Sequence, residues 1–265
     1  MAVTVACLTS PTQRRYRLIA EAMAAGINRC GDRASLVSVY APHQVADVGV
    51  MYGWKRHQQL QRYARFVYAD LGYWQRDNYY RLAVGGWGPE RYVCAGLPAS
   101  RFEALGLQLK PWREHGNEII VAGATAKAAG EHGLGYMEWE RRAVARLREC
   151  GRKVIYRPKP NDRLAQPING AGYDTRPISE ALANAWAWVT HHSNSAVDAL
   201  LAGIPVHCEI GAAAALSVPM DQIGEAPLIE GREQFLADVA WLQWTLDEMR
   251  SGEAWAHLKD RGLVC

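Results

Sequence analysis

The stretch AWVTHHSNSAVDALLAGIPVHC, residues 187–208, holds the densest run of potentially chemical side chains in the chain. His191 and His192 lead straight into Ser193, Asn194 and Ser195, between an apolar run and a short helix-like run. Hydroxyls, an amide and imidazoles can all donate hydrogen bonds near neutral pH. A helix start adds free backbone N–H groups and the positive end of the helix dipole, so these residue types suit a phosphate or diphosphate. A plainer reading stands beside it. Ser195 and Asp198 match the S-x-x-D form of a capping box, and Gly203 and Pro205 end the helix it would start.

A second element changes the balance. YRPKP, residues 156–160, places Arg157 and Lys159 just past an apolar run, with two prolines fixing the backbone. Arg157 offers a planar fork to an oxyanion, and Lys159 a point charge. A third such end is Gly123 in AGAT, where the missing side chain would admit a ligand. Neither GxGxxG nor GxxxxGK[ST] occurs, so the dinucleotide fingerprint and the P-loop are excluded as the source of phosphate binding.

These residues need a scaffold that brings chain ends together. Residues 2–8, 34–40, 46–54 and 65–74 read as strands. Helices at 10–30 and 55–64 separate them, the second basic and amphipathic. Residues 75–114 are irregular and aromatic-rich. Strands at 117–123, 153–160 and 186–190 follow, with helices at 137–150 and 179–185, and residues 232–259 are mostly helical. This alternation predicts an α/β protein with two parallel-sheet, Rossmann-like halves. The expected parts are a first α/β domain at 1–113, a second at 114–231 and a C-terminal helical segment at 232–265 that packs back on the first half. Ligands of such sheets bind at the carboxyl ends of the strands, which is where the motifs above fall.

The 265 residues are 49% hydrophobic and 22% charged, enough apolar material for real cores. A net charge of +3 is too weak for a dedicated nucleic-acid binder. Trp54, Lys55, Arg62 and Trp74 nevertheless form a stretch of basic residues among rings, with Tyr52, Arg56, Tyr63, Arg65 and Tyr73. Such a stretch suits stacking on an acceptor, and it equally suits a solvated helix face. The six scattered cysteines have no metal-like spacing and fit a reducing cytoplasm. The N-terminal apolar run is too short to span a membrane.

RPKP after one strand, followed by HHSNSAVDALLAGIPV, resembles the donor half of GT-B glycosyltransferases of the capsule type. That family's pattern is a strand, RPHP-like residues, then S-S/N-x-x-x-E-A-L-x-x-G-K-P-V. Asp198 stands where the family usually has Glu, and Lys159 where it often has His. The resemblance implies sugar transfer from a nucleotide-sugar, with no further cofactor and no metal. It places the donor phosphates on Ser193, Asn194 and Ser195 with Arg157 and Lys159. Asp198 would hold a ribose or sugar hydroxyl, and His191 or His192, the latter as catalytic group, would contact the sugar or leaving phosphate. An inverting enzyme also needs a base from the first half; Asp70 is the first choice, ahead of Asp77 and Asp47. The whole chain is more loosely similar to uncharacterised proteins of tailed bacteriophages, which implies a hydroxymethylated DNA base as acceptor, with a glycan as the alternative. Two other readings share the scaffold: a nucleotide-sugar epimerase- or hydrolase-like enzyme, and a non-catalytic DNA- or partner-binding protein.

Overall fold

The computed structural model describes residues 2–53, 56–86 and 96–264. The chain divides into two compact units, Met1–Pro89 with Ala240–Cys265, and Glu90–Val239.

The first unit begins with β1 (Thr4–Thr9), whose Val5, Ala6, Cys7 and Leu8 are all buried. A continuous apolar run of this kind belongs to a strand covered on both faces. α1 (Arg14–Arg29) buries Tyr16, Ile19, Ala20, Met23 and Ile27, the stripe that helical spacing predicts. Then come β2 (Arg33–Ser38), β3 (Val48–Tyr52), a single turn α2 (His57–Leu60), β4 (Arg65–Leu71) and β5 (Tyr79–Val84). The basic helix expected at 55–64 shrinks to α2. Leu60 and Tyr63 are its buried apolar residues, and so narrow a face cannot hold a longer helix. The strand expected at 65–74 stops at Leu71. At Gly72 a Cβ would come within 2.9 Å of the Tyr79 carbonyl oxygen, so the chain turns tightly there into β5.

The second unit contains α3 (Ser100–Ala104), β6 (Glu118–Ala122), α4 (Ala126–Glu131), α5 (Glu138–Leu147), β7 (Lys153–Arg157) and β8 (Gly172–Tyr173). It continues through α6 (Ile178–Asn184), β9 (Ala185–Thr190), α7 (Ser195–Leu201), β10 (Val206–Cys208), a 3-10 turn at Ala212–Leu216 and α8 (Arg232–Ala240). Its sheet has the order β10-β9-β6-β7-β8, with every pairing parallel. Ile119, Val121, Trp139, Val144, Leu147, Tyr156 and Val189 form part of its core.

The unit boundaries differ from those expected at 113/114 and 231/232. Residues 97–113 are tied into the second unit by backbone groups. Leu97 N–H donates to Asp238 Oδ1 at 2.6 Å, and Arg113 N–H donates to the Gly203 carbonyl at 2.8 Å. Arg232 Nη2 donates to the Lys110 carbonyl at 2.8 Å, which fastens α8 to the same unit. The sequence shows no apolar period in 97–113 that could have announced these contacts.

The chain then returns to the first unit with β11 (Gln243–Thr245), α9 (Leu246–Ser251) and α10 (Glu253–Asp260). The first sheet is β11-β5-β4-β3-β1-β2. It is parallel from β2 to β4; β5 runs antiparallel to β4, and β11 antiparallel to β5. The two-sheet α/β expectation holds, and so does the return of the C-terminal helices to the first unit. At Gly26 an added Cβ would lie 1.9 Å from the Met249 carbonyl oxygen, so only glycine lets α9 approach α1 this closely. No helix among the described residues is long and apolar enough to cross a membrane. Cys7, Cys30, Cys150 and Cys208 are free thiols.

Asp32 fastens this closing segment. Its buried carboxylate accepts from Trp255 Nε1 at 2.7 Å, Lys259 Nζ at 2.8 Å and Val3 N–H at 2.9 Å. Burial pushes its pKa up, but these three bonds outweigh burial and hold it below the ordinary carboxylate value. Asp32→Ala should cost about 3 kcal/mol, because it strands the buried indole N–H and the ammonium. A depressed pKa stabilises the fold above the unfolded value, and that contribution is lost as pH falls through the folded value. The gap in urea midpoint between wild type and Asp32→Asn should therefore be wide near neutrality and close under acid.

Candidate functional site

Three strands of the second unit end side by side. Ala122 pairs with Arg157 on one side and Thr190 on the other, so the segments after β6, β7 and β9 leave the sheet together. Thr190 ties two of these ends. Its hydroxyl donates to the Ala122 carbonyl at 2.9 Å and accepts from Ser193 N–H at 3.2 Å.

Ser193 Oγ is the point of convergence. It accepts from Lys159 Nζ at 3.0 Å and from Ser195 Oγ at 2.9 Å. Ser195 Oγ in turn accepts from Trp188 Nε1 at 3.0 Å, which leaves its proton for Ser193. Ser195 N–H also approaches Ser193 Oγ, at 3.4 Å. The RPKP turn and the HHSNS loop thus meet through Lys159 and Ser193. The half-exposed Lys159 ammonium and the buried Ser193 hydroxyl are thus held side by side.

Other expected site residues have different surroundings. Ser195 is the first residue of α7, and Asn194 stands at the cap with no side-chain cap bond. The capping box read from Ser195 and Asp198 does not form, because the Ser195 hydroxyl is engaged by Ser193 and Trp188. Asp198 lies half-buried in the first turn of α7. Arg157 is buried, and its Nη1 donates to the Arg176 carbonyl. Burial lowers its pKa, with nearby Asp174 opposing. Its fork is thus turned to the protein's own backbone rather than held open beside Lys159. Gly123 also has a packing reason: a Cβ there would lie 2.9 Å from both Cε2 and the hydroxyl of Tyr156. The space read as access for a ligand is filled by that ring.

The two histidines meet a third that the sequence reading missed. His191 Nδ1 and His192 Nδ1 are 2.8 Å apart, and the His132 ring centroid lies 5.2 and 4.7 Å from theirs. His132 caps the C-terminus of α4, remote in sequence, and nothing in the letters GEHG distinguishes it from an ordinary helix end. His191 is buried against Trp139, with ring centroids 5.7 Å apart. Burial lowers its pKa; Glu209 opposes, while His132 and Arg142 push it further down. Glu140 is a second missed residue: buried, with Oε1 accepting from Ala124 N–H at 2.7 Å, and raised in pKa chiefly by burial.

In the first unit, Asp70 sits half-exposed near the carboxyl end of β4. Its Oδ2 accepts from the Tyr68 hydroxyl at 2.6 Å and lies 3.5 Å from Arg81 Nη2, while Oδ1 accepts from Leu71 N–H at 2.8 Å. It has the place of a base and the partners of an ion-paired structural carboxylate. Asp77 is exposed, and Asp47 holds Thr4 N–H at the amino end of β3. Trp74 is buried, as are Tyr63 and Tyr73, so the rings expected to stack on an acceptor belong to the core. Gln243 Oε1 accepts from the N–H groups of both Tyr73 and Trp74, a partner 169 residues away that the sequence could not announce. Arg62 is exposed, and Trp54 and Lys55 lie outside the described residues.

No protein-family model matches the sequence, and no curated protein matches it. Solved structures do. The β-Kdo 2,4-transferase of Thermosulfurimonas dismutans KpsC aligns over 90% of this chain and 90% of its own, with a TM-score of 0.57 at 10% identity. The β-Kdo 2,7-transferase of the same KpsC aligns over 98% of this chain and 100% of its own, with a TM-score of 0.55 at 12% identity. The fold is of the GT-B class. At these identities the likeness concerns the fold, and the side chains described above must carry the chemistry.

Two substitutions test the local roles. Gly123→Ala should lower stability by about 1–3 kcal/mol, since the Tyr156 ring must move to admit the methyl. Asp70→Asn keeps the shape but removes the charge facing buried Arg81. With a third of the Asp70 side chain exposed, that should cost about 1–2 kcal/mol. Chemical denaturation of each variant against wild type reads both values.

Proposed function

We propose that this protein is a glycosyltransferase that takes a sugar from a nucleotide-sugar and passes it to an acceptor hydroxyl. The observation that carries this is the Lys159–Ser193 contact, 3.0 Å, at the carboxyl ends of adjoining parallel strands. The GT-B class of the fold supports it, as do solved structures of two Kdo transferases with that fold. In this reading the Lys159 ammonium and the Ser193 hydroxyl hold a donor phosphate oxygen and stabilise the charge that grows on it as the glycosidic bond breaks. The Ser195–Trp188 relay and the Thr190 tie fix Ser193 beforehand, so little reorganisation is needed as charge develops. His192 lies one residue from this pair and is our candidate for contact with the sugar or leaving phosphate. Asp70 is our candidate base.

We take a glycan hydroxyl as the acceptor rather than a DNA base. Tyr63, Tyr73 and Trp74 are occupied in a core, and the described part of the basic stretch is left with charge but few free rings. Base recognition on single strands relies on such rings.

A panel of UDP-, GDP- and CMP-linked sugars, each labelled in the sugar, tests the proposal by transfer, hydrolysis and thermal shift. One donor should raise the melting temperature and release its label. Lys159→Met and Ser193→Ala should each lower kcat about 10²-fold to 10³-fold; Lys159→Met should leave the melting temperature of the free protein nearly unchanged, while Ser193→Ala should lower it modestly, since Ser195 Oγ loses a buried partner. If no donor in the panel is turned over or shifts the melting temperature, the assignment fails.

A further inference from the structure

We propose that His132, His191 and His192 form a binding site for one divalent transition-metal ion of the zinc class. One coordinating atom from each of the three lies within 4.8 Å of the others. They come from two loops that the sheet brings to one place, His132 from the end of α4 and the other two from the end of β9. Chance pairs of surface histidines do not converge this way; here the middle residue is buried and its neighbours half-buried.

The ligand chemistry selects the ion. A neutral imidazole presents one nitrogen lone pair, and three such nitrogens suit Zn²⁺, Co²⁺, Ni²⁺ or Cu²⁺ rather than the oxygen-seeking Mg²⁺ or Ca²⁺. The Nδ1–Nδ1 contact of 2.8 Å between His191 and His192 already requires one proton to be shared between two lone pairs. A divalent ion does the same for three. Zinc–nitrogen bonds of about 2.0–2.1 Å place tetrahedral ligand nitrogens about 3.4 Å apart. Side-chain rotation at the half-buried His132 and His192 closes the remaining distance, while His191 stays fixed against Trp139.

The surroundings support the site. Trp139 Nε1 donates to the Glu209 carboxylate, so a carboxylate steadies the ring on which His191 rests. Three protein nitrogens leave a fourth position for water or an oxyanion, the arrangement of a reactive rather than a closed zinc site. The proposal does not depend on sugar transfer, and its test reads metal binding alone.

Untagged full-length protein, stripped with a chelator and dialysed, would be titrated with Co²⁺ while the visible absorption is followed. We expect one Co²⁺ per chain with the intense ligand-field bands of low-coordinate cobalt, displaced by Zn²⁺ and unaffected by Mg²⁺. Against a chromophoric zinc chelator, His132→Asn and His192→Gln should each weaken Zn²⁺ binding at least about tenfold. Melting curves of the metal-free variants check that they fold, and the wild-type cobalt spectrum decides the matter even where one does not. A spectrum that stays that of the free aquo ion overturns the proposal. So does wild-type zinc affinity in the folded double variant His132→Asn, His192→Gln.

Discussion

The second unit depends on one strand end, the carboxyl terminus of β6. It lies between β7 and β9, and its last carbonyl accepts the Thr190 hydroxyl. That single bond determines where the loop after β9 can go, because the same Thr190 oxygen receives Ser193 N–H. Ser193 then gathers Lys159 from beyond β7 and Ser195 from the start of α7. A buried backbone carbonyl at a strand end must find a donor. Here the donor is the residue that also positions the polar loop. Structural necessity and site geometry are satisfied by one side chain.

The first unit solves a different problem. Its antiparallel β5 would be a sheet edge, open to pairing with other chains. β11 covers it, and β11 belongs to a segment that arrives only after the chain has passed through the whole second unit. Fold closure therefore rests on contacts distant in sequence: Gln243 under Tyr73 and Trp74, Met249 against Gly26, Trp255 and Lys259 on Asp32. Asp238 does the equivalent service in the other unit, where it holds Gly96 and Leu97. Separating the C-terminal helices from the rest would leave both a bare edge and an Asp32 carboxylate stripped of two of its three partners.

This explains which parts were legible in the sequence. Apolar runs and helical stripes are local, so β1, α1, α5, β6, β7 and β9 could be placed to within a few residues. The meeting of RPKP with HHSNS was legible too, because parallel strands put their carboxyl ends at one edge. β5, β11 and the unit boundaries were not, since pairing through Gln243 and anchoring through Asp238 leave no periodic trace. His132 was invisible for the same reason: a single histidine at a helix end acquires meaning only when the fold sets it against two others.

The residues that resembled site components but are committed to packing share a physical character. Arg157, Gly123, Tyr73 and Trp74 each offer something the interior can use: a many-donor fork, room for a ring, or large apolar area. A guanidinium can turn a donor to a backbone carbonyl, as Arg157 does to Arg176. An ammonium on a flexible stem presents three donors and can follow a partner as it moves. Lys159 therefore stays half-exposed and carries charge to Ser193, although Arg157 has the geometry more often associated with phosphate. Within a turn locked by two prolines, the chain has placed its rigid cation where rigidity stabilises the fold and its adaptable cation where a ligand's charge would arrive.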